Sequence, residues 1–538
     1  MEGQKVGISK FVVTRPKFAI KPDALSEAIG ESEGKIQALL NDKRILPDAK
    51  PEVPRPGYSE SNITFSADAA YKFFTMLKED KEALKRFIAN PPRAIYTGTE
   101  SNSDRSKPDF IIAMHMALSK LWYDDRKYFT EINNIIHNAL YYPMTFACSG
   151  GTLALEQATK EAERNGSAIF WTADTSIYSQ SSAKITQGAA CAFGWIEKDP
   201  KLLEVEIKRG VFGYNYSENG FTKVGYLPEL YPFLSQISYM YDVGKALLKL
   251  EESNLGLSQD CSFVIPHTPL MRQVMQFITF MYVHKLKDYM PEEYKKLQEN
   301  PCVGPSPING EHITQIMERK FEYVNEHEMT EKQISEMFEN DSELSAVFAW
   351  IDKVRKNDPG FVEFLNEKNM AAVLSLIQRF NNSYACSALV GVAGVVDSYA
   401  RFIDMPKGIS EEEKNKILEG ILYSFGSGSQ AIMTALKIVA TGEEVNKHFY
   451  VDNDGAGAYL NAAAYTKLHA ELEDENRMVT DSNLVEKDME LLRELRDSTH
   501  DEDAKLKDGF RIMGRDIKGN TDWGYVENGK FKQLFFKY

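Results

Sequence analysis

The chain of 538 residues is long enough to bury a large core, and its 43% hydrophobic and 26% charged residues are typical of a globular protein. No apolar run approaches the roughly 18 residues of a membrane helix, and the formal net charge of −15 argues against non-specific nucleic-acid binding. Five scattered cysteines without a Cys-x-x-Cys pair and nine histidines without metal-ligand spacing predict neither a disulfide framework nor a metal site. Since the first residues lack the features of a leader peptide, we predict a cytoplasmic protein.

The first elements predicted along the chain are a strand over residues 6–14 and a helix over residues 21–29 that Gly30 closes. Four prolines between residues 46 and 57 predict an extended connection without regular structure. A helix with Ser66 as its N-cap follows.

A strand over residues 93–96 then leads into a polar turn that contains Glu100, and a helix is expected over residues 109–121. Cys148 lies where an apolar segment meets the next helical pattern, which begins near Gly150. Unpaired N–H groups and the helix dipole stabilise a thiolate at such a position, so Cys148 is a candidate nucleophile. Taken alone, this stretch fits a structural cysteine equally well.

Alternating strands and helices follow Cys148 and indicate a layered α/β fold. The predicted elements are a strand at 168–174, a turn and strand at 186–196, a strand at 203–209, a helix at 233–250, a strand that ends at His267 and surface helices over 288–370. One pattern occurs twice, near Cys148 and again between residues 381 and 439. In each case a helix of very small residues is followed by a Gly-rich turn beside an interior strand. We infer an internal duplication.

Six motifs together resemble the 3-hydroxy-3-methylglutaryl-CoA (HMG-CoA) synthase family of the thiolase superfamily, in family order. They are Thr97-Gly98-Thr99-Glu100-Ser101, Ala147-Cys148-Ser149-Gly150-Gly151-Thr152, Ala173-Asp174 with Ile177-Tyr178 followed by Thr186-Gln187-Gly188-Ala189, His267-Thr268-Pro269, Asn382-Ser383-Tyr384 and Tyr423-Ser424-Phe425-Gly426-Ser427-Gly428. The resemblance implies a thiolase-like α/β fold with duplicated βαβαβαββ halves in five α-β-α-β-α layers and helical insertions. The halves would be residues 1–258 and 259–538, with an insertion at about 288–370.

The resemblance also implies the chemistry. Cys148 would carry an acetyl group from acetyl-CoA, and Glu100 would remove a proton from its methyl group so that it attacks acetoacetyl-CoA. His267, helped by Asn382, would polarise the acceptor carbonyl. The backbone N–H of Ser427 would help to hold the oxyanion.

Further residues are implied at the binding sites: Gly426, Thr186 and Tyr178 would line the acyl site, and Lys107 and Arg272 would contact CoA. The expected substrates are acetyl-CoA and acetoacetyl-CoA or a similar acceptor, with no other cofactor, no metal, no membrane or nucleic-acid partner, and a homodimeric assembly.

Other functions remain open from the sequence alone. Ser149 stands where the family usually has an aromatic residue, and the segment Tyr214-Asn215-Tyr216 lacks the family's aspartate and basic-proline pair. The acceptor could therefore be another acyl-CoA or a carrier-protein thioester. A β-ketoacyl synthase would share Cys148 and His267 but does not need Glu100. A catalytically silent acyl-CoA-binding scaffold would need none of these three residues.

Overall fold

The computed structural model describes most of the chain. The described residues are 4–99, 109–122, 125–144, 146–178, 184–214, 221–224, 227–230, 232–253, 260–308, 311–327, 329–381, 383–403, 405–406, 408–426, 430–452, 456–473, 484–499, 505–515, 521–528 and 530–534. Within these ranges, no helix combines the length and apolar character required to cross a membrane.

Strands and helices alternate through the first part of the chain, and helices predominate between β11 and β12. The strands are β1 (Val6–Thr14), β2 (Phe18–Ile20), β3 (Val53–Arg55), β4 (Ala94–Gly98), β5 (Leu140–Met144), β6 (Ser167–Thr175), β7 (Ala189–Lys198), β8 (Leu203–Tyr214), β9 (Phe221–Val224), β10 (Leu227–Leu230), β11 (Phe263–Pro266), β12 (Glu419–Gly426), β13 (Gln430–Ile438), β14 (Phe449–Val451), β15 (Ala458–Leu460), β16 (Gly509–Arg515), β17 (Thr521–Glu527) and β18 (Lys530–Leu534). The α-helices are α1 (Pro22–Ile29), α2 (Glu33–Leu40), α3 (Asn62–Glu79), α4 (Lys81–Ala89), α5 (Asp109–Leu121), α6 (Arg126–Asn138), α7 (Gly150–Asn165), α8 (Pro232–Glu252), α9 (Met271–Tyr289), α10 (Pro291–Glu299), α11 (Ile313–Glu326), α12 (Glu331–Glu339), α13 (Ser342–Asn357), α14 (Pro359–Glu367), α15 (Met370–Leu374), α16 (Ile377–Phe380), α17 (Ser387–Val395), α18 (Glu411–Leu418), α19 (Ala462–Glu473) and α20 (Leu484–Thr499).

The largest sheet of the described residues has the strand order β11-β12-β13-β8-β1-β7-β6-β4-β5, with β14 paired to β1. In the first half, β4 runs parallel to β6, and β6 runs antiparallel to β7. The second half repeats this arrangement, because β11 runs parallel to β12 and β12 runs antiparallel to β13. A short β1–β8 pairing, Gly7 opposite Glu204 and Ile8 opposite Leu203, joins these two sets of strands into one continuous sheet.

Helices cover both faces of each half and form the five predicted layers. One outer layer contains α3, which packs on β1 and β7, and the other contains α8, which packs on β8 and β13. Between the halves lie α7, in contact with β4 and β6, and α17, in contact with β11, β12 and β7. The predicted layered α/β fold is therefore confirmed. The division of the chain at residue 258 stays a prediction. Both β8 and α8 precede residue 258 in the sequence, yet they pack against β13, which follows it.

The two middle-layer helices begin in the same way. A 3₁₀ turn, Ala147–Ser149, precedes α7, and a second one, Tyr384–Cys386, precedes α17. Each turn starts at a non-glycine residue with positive φ, 46° at Ala147 and 43° at Tyr384, a conformation that is uncommon outside glycine. This repeated and strained backbone supports the inferred internal duplication.

The start of α3 differs from the prediction. The helix begins at Asn62 after Ser61, and Ser66 lies buried inside it. The first turn is held by tertiary contacts, because Thr175 Oγ1 donates to Asn62 Oδ1 at 2.8 Å and Thr14 Oγ1 donates to the Phe65 carbonyl at 2.7 Å. Such packing overrides the weak helix propensity of this stretch.

The proline-rich connection also contains a short strand, so the prediction of no regular element there was wrong. Val53–Arg55 forms β3 and pairs with β2, with Pro54 opposite Ala19. The strand lies at the edge of the three-stranded sheet β15-β2-β3, where a proline's missing N–H leaves no partner unsatisfied.

Candidate active site

Cys148 lies in the 3₁₀ turn directly before α7, as the sequence predicts, and is only 5% exposed. Ser149, the residue that departs from the family pattern, is held by two hydrogen bonds of its hydroxyl group. Its Oγ donates to the Phe146 carbonyl at 2.7 Å and accepts from Gln430 Nε2 at 3.0 Å. These contacts tie the cysteine turn to β13 of the other half.

The surroundings of Cys148 come from both halves of the chain. Tyr178 and Tyr384 pack with Cys148 in one buried cluster, and their rings meet edge to face with centroids 5.8 Å apart. Ser424 Oγ on β12 donates to the carbonyl oxygen of Cys148 at 3.3 Å. The predicted acyl-site residue Tyr178 therefore lies beside the candidate nucleophile.

His267 is presented at the end of β11 by contacts with its backbone. Its N–H donates to the Tyr423 carbonyl at 2.8 Å, and its own carbonyl accepts from Tyr239 OH at 3.0 Å. Because Tyr423 adjoins Ser424, consecutive residues of β12 hold the backbones of His267 and Cys148. Burial lowers the pKa of His267 to about 3, and no described group makes a hydrogen bond to its Nδ1. The ring is thus neutral and available to a ligand.

We expect the buried state of His267 to make stability depend on pH. An exposed histidine titrates near 6.5, so the unfolded chain takes up this proton before the folded chain as the pH falls. The contribution of His267 is complete above pH 6.5 and is lost progressively between pH 6.5 and 3. From pH 7.5 to 5.0 the wild type should lose about 2 kcal/mol more unfolding free energy than a His267→Gln variant, measured by urea denaturation. Equal losses would contradict a buried neutral His267.

Asp174, near the end of β6, connects the two halves through hydrogen bonds of its carboxylate. Its Oδ1 accepts from Thr99 Oγ1 at 2.9 Å, and its Oδ2 accepts from the Ala385 N–H at 2.9 Å. Thr99 immediately precedes Glu100, so Asp174 positions the strand end from which Glu100 follows. Asp174 belongs to one of the motifs of the resemblance, but no role at the site was predicted for it.

The segment that contains Thr186 is fixed by Asn381. The Asn381 side-chain amide donates to the carbonyls of Ile185 and Gln187, at 2.9 and 2.6 Å. Thr186, between these two acceptors, is buried. These contacts bring the predicted acyl-site residue Thr186 next to the backbone that leads to Asn382.

Glycines allow the backbone around Cys148 to approach closely. A Cβ atom on Gly98 would lie 2.4 Å from the carbonyl carbon of Gly150, and one on Gly151 would lie 2.0 Å from the Ala385 carbonyl oxygen. A Cβ on the predicted site residue Gly426 would lie 2.5 Å from Ser149 Oγ. Strand ends and helix starts of both halves thus meet without side chains between them.

Gly151→Ala should therefore disrupt the junction of the two halves. Since the obstructing atom belongs to the backbone of Ala385, we expect a loss of about 1–3 kcal/mol or more in unfolding free energy. The matched control is Gly34→Ala in α2, where an added Cβ meets nothing within 4 Å and a gain of up to about 1 kcal/mol is expected. Urea denaturation measures both, and equal stability of the two variants would contradict the tight junction.

Several predicted residues lie outside the described residues, namely Glu100, Lys107, Asn382 and Ser427. Their roles stay predictions. Arg272 is described, in the first turn of α9, where its exposed guanidinium pairs with Asp352 at 3.3 Å. Its contact with CoA also stays a prediction.

Of the other four cysteines, three are buried and one is exposed. Burial raises the pKa of the Cys386 thiol far above its usual range and that of Cys191 to about 12, and it also raises the pKa of Cys261. Cys302 is exposed. Buried thiols of this kind are inert packing groups.

No protein-family model and no curated protein matches this sequence. Solved structures do match it along nearly its whole length, and all three described next belong to one class of layered α/β protein. MvaS in complex with 3-hydroxy-3-methylglutaryl coenzyme A covers 99% of this chain, with 99% of its own chain matched, at 14% identity and a TM-score of 0.57. An HMG-CoA synthase complexed with CoA matches 97% of this chain and 100% of its own at 15% identity and TM-score 0.58.

The HMG synthase of the curacin biosynthetic pathway, in complex with apo donor-ACP, also matches 97% of this chain and 100% of its own, at 12% identity and a TM-score of 0.60. The chain therefore has the thiolase-like fold of the HMG-CoA synthases.

Proposed function

We propose that the chain is an acyl-CoA condensing enzyme that converts acetyl-CoA, acetoacetyl-CoA and water to 3-hydroxy-3-methylglutaryl-CoA and CoA. The observation that carries the proposal is the position of Cys148 at the N-terminal turn of α7, between the two halves, with β12 holding the backbones of both Cys148 and His267. The comparisons with solved structures support this proposal through the shared fold alone.

In the first step the Cys148 thiolate attacks the acetyl carbonyl, and the CoA thiolate leaves. The tetrahedral oxyanion would be held by the N–H groups of Cys148 and Ser427. Glu100 then removes a proton from the acetyl methyl group, and the resulting carbanion attacks the C3 carbonyl of the acceptor. His267 is neutral in its buried setting, so it polarises that carbonyl as a hydrogen-bond donor. The alkoxide takes a proton through His267, and the proton that Glu100 removed makes up for it. Water then hydrolyses the thioester, which gives the product carboxylate and the free Cys148 thiol.

A carrier-protein thioester is the second candidate for the acyl source. The curacin-pathway structure is a complex with a donor-ACP, and it matches this chain as well as the CoA-bound structures do. The cysteine chemistry would be the same, because the attacked bond is a thioester in both cases.

The two sources are distinguished by a condensation assay with defined donors. Purified enzyme is supplied with acetoacetyl-CoA and either acetyl-CoA or an acetylated carrier protein, and the product is identified by mass spectrometry. Formation of 3-hydroxy-3-methylglutaryl-CoA from acetyl-CoA supports the proposal, and turnover with the carrier protein alone supports the second candidate. No condensation with either donor would overturn the proposed function.

A further inference from the structure

Two histidines and an aspartate form a cluster outside the candidate active site. His284 and Asp288 lie one turn apart on α9, and His312 directly precedes α11. Nδ1 of His284 lies 3.0 Å from Oδ2 of Asp288, and the same oxygen lies 3.6 Å from Nε2 of His312. Within the part of the chain that the structure describes, this is the one group of His, Cys, Asp and Glu side chains whose ligand atoms all lie within 4.8 Å of one another.

The buried ring of His284 places its Nδ1 in this cluster. His284 is 3% exposed, and its Nε2 is hydrogen-bonded to Glu251 at the end of α8. No described group makes a hydrogen bond to this buried Nδ1, although Asp288 Oδ2 lies 3.0 Å from it. A cation between these two atoms would be bound by both.

The donor set and its spacing suit a zinc-class ion. Zinc binds histidine nitrogen and carboxylate oxygen at about 2.0–2.2 Å in tetrahedral geometry, so neighbouring ligand atoms lie about 3.3–3.6 Å apart. The two distances at Asp288 Oδ2, 3.0 and 3.6 Å, bracket that range closely. A ligating histidine almost always donates its second N–H to a carboxylate or carbonyl, and Glu251 accepts it here.

The remaining properties of the cluster favour metal entry. His312 is partly exposed at the start of α11. Asp288 is exposed, which gives an ion a route from solvent.

We propose that His284, Asp288 and His312 bind a divalent zinc-class ion, with Glu251 orienting His284. The ion fastens the end of α9 to the start of α11, and Glu251 extends this connection to α8. Because α9 begins four residues after His267, the site anchors the helix that follows the strand presenting His267. Three protein ligands leave the fourth tetrahedral position to water. The proposal concerns metal binding outside the candidate active site, so it does not depend on the proposed function.

The test is equilibrium dialysis of the full-length protein, without a polyhistidine tag, against Zn²⁺ after treatment with a chelator. We expect about one zinc per chain, a melting temperature raised by a few degrees, and visible absorption of four-coordinate type when Co²⁺ replaces Zn²⁺. His312→Ala and Asp288→Asn, which change partly exposed side chains, should abolish this stoichiometric binding. Glu251→Ala should weaken the affinity about 10–100-fold.

The matched control is His327→Ala at the other end of α11, where the exposed ring is hydrogen-bonded to the Tyr323 carbonyl and stacks on the Tyr323 ring. This variant should bind zinc as the wild type does, and circular dichroism should show all variants folded. Absence of zinc from the wild type would mean that a proton occupies the cluster and would overturn the proposal. Undiminished binding by His312→Ala would do the same, by placing the zinc elsewhere.

Discussion

Replacement of Cys148 by alanine is expected to abolish both the acetyl-enzyme and condensation, with turnover falling by about 10⁴-fold or more. The reason is that every later step acts on an acetyl group attached to this sulfur. The protein should remain folded, because the cysteine turn is held by Ser149, Gln430 and Ser424 through contacts that do not involve the thiol. Turnover is measured as CoA released from acetyl-CoA in the presence of acetoacetyl-CoA.

Two variants serve as controls for Cys148→Ala. Cys148→Ser keeps the shape but replaces the thiol with a hydroxyl that forms its anion far less readily, so it should be inactive as well. Cys302→Ala removes the exposed cysteine and should retain full activity. Activity that survives in Cys148→Ala would remove the central residue from the proposed mechanism.

His267→Ala is expected to separate the two half-reactions. Acetyl transfer to Cys148 should proceed, whereas condensation should fall by about 10²–10⁴-fold, because the acceptor carbonyl loses its polarising donor. His267→Gln should show an intermediate loss, since its amide N–H can donate in place of the imidazole N–H. Single-turnover acetylation and steady-state condensation measure the two steps separately.

The exposed His137→Ala provides the control and should leave both steps unchanged. A His267→Ala variant that loses acetylation and condensation equally would show that His267 is required to form or hold the cysteine site, and the assigned role in condensation would then be wrong.

Local patterns were sufficient to predict the elements that deliver the candidate site. Alternating and continuous apolar runs predicted β1 and β6, and Gly30 correctly marked the end of α1, where it adopts the left-handed conformation. The junction of an apolar segment with a helical pattern placed Cys148 at or just before the first turn of α7. These features depend on neighbours in the chain, which the sequence shows directly.

Features that depend on distant contacts could not be predicted in the same way. Thr14 and Thr175 bind the first turn of α3 in addition to its local capping box, and Asp174 gains its positioning role only through contacts between distant parts of the chain. The His284 cluster was missed for the same reason. Its His284–Asp288 spacing of one helical turn was visible, whereas the approach of His312 depends on the packing of α11 beside α9.

The most direct test of the account is the mapping of acetyl groups after a brief incubation of the enzyme with labelled acetyl-CoA, in the absence of an acceptor. The account predicts one acetyl group per chain, recovered on the peptide that contains Cys148 and released when acetoacetyl-CoA is added. A Cys148 peptide without label, or label found only on the exposed Cys302, would contradict it.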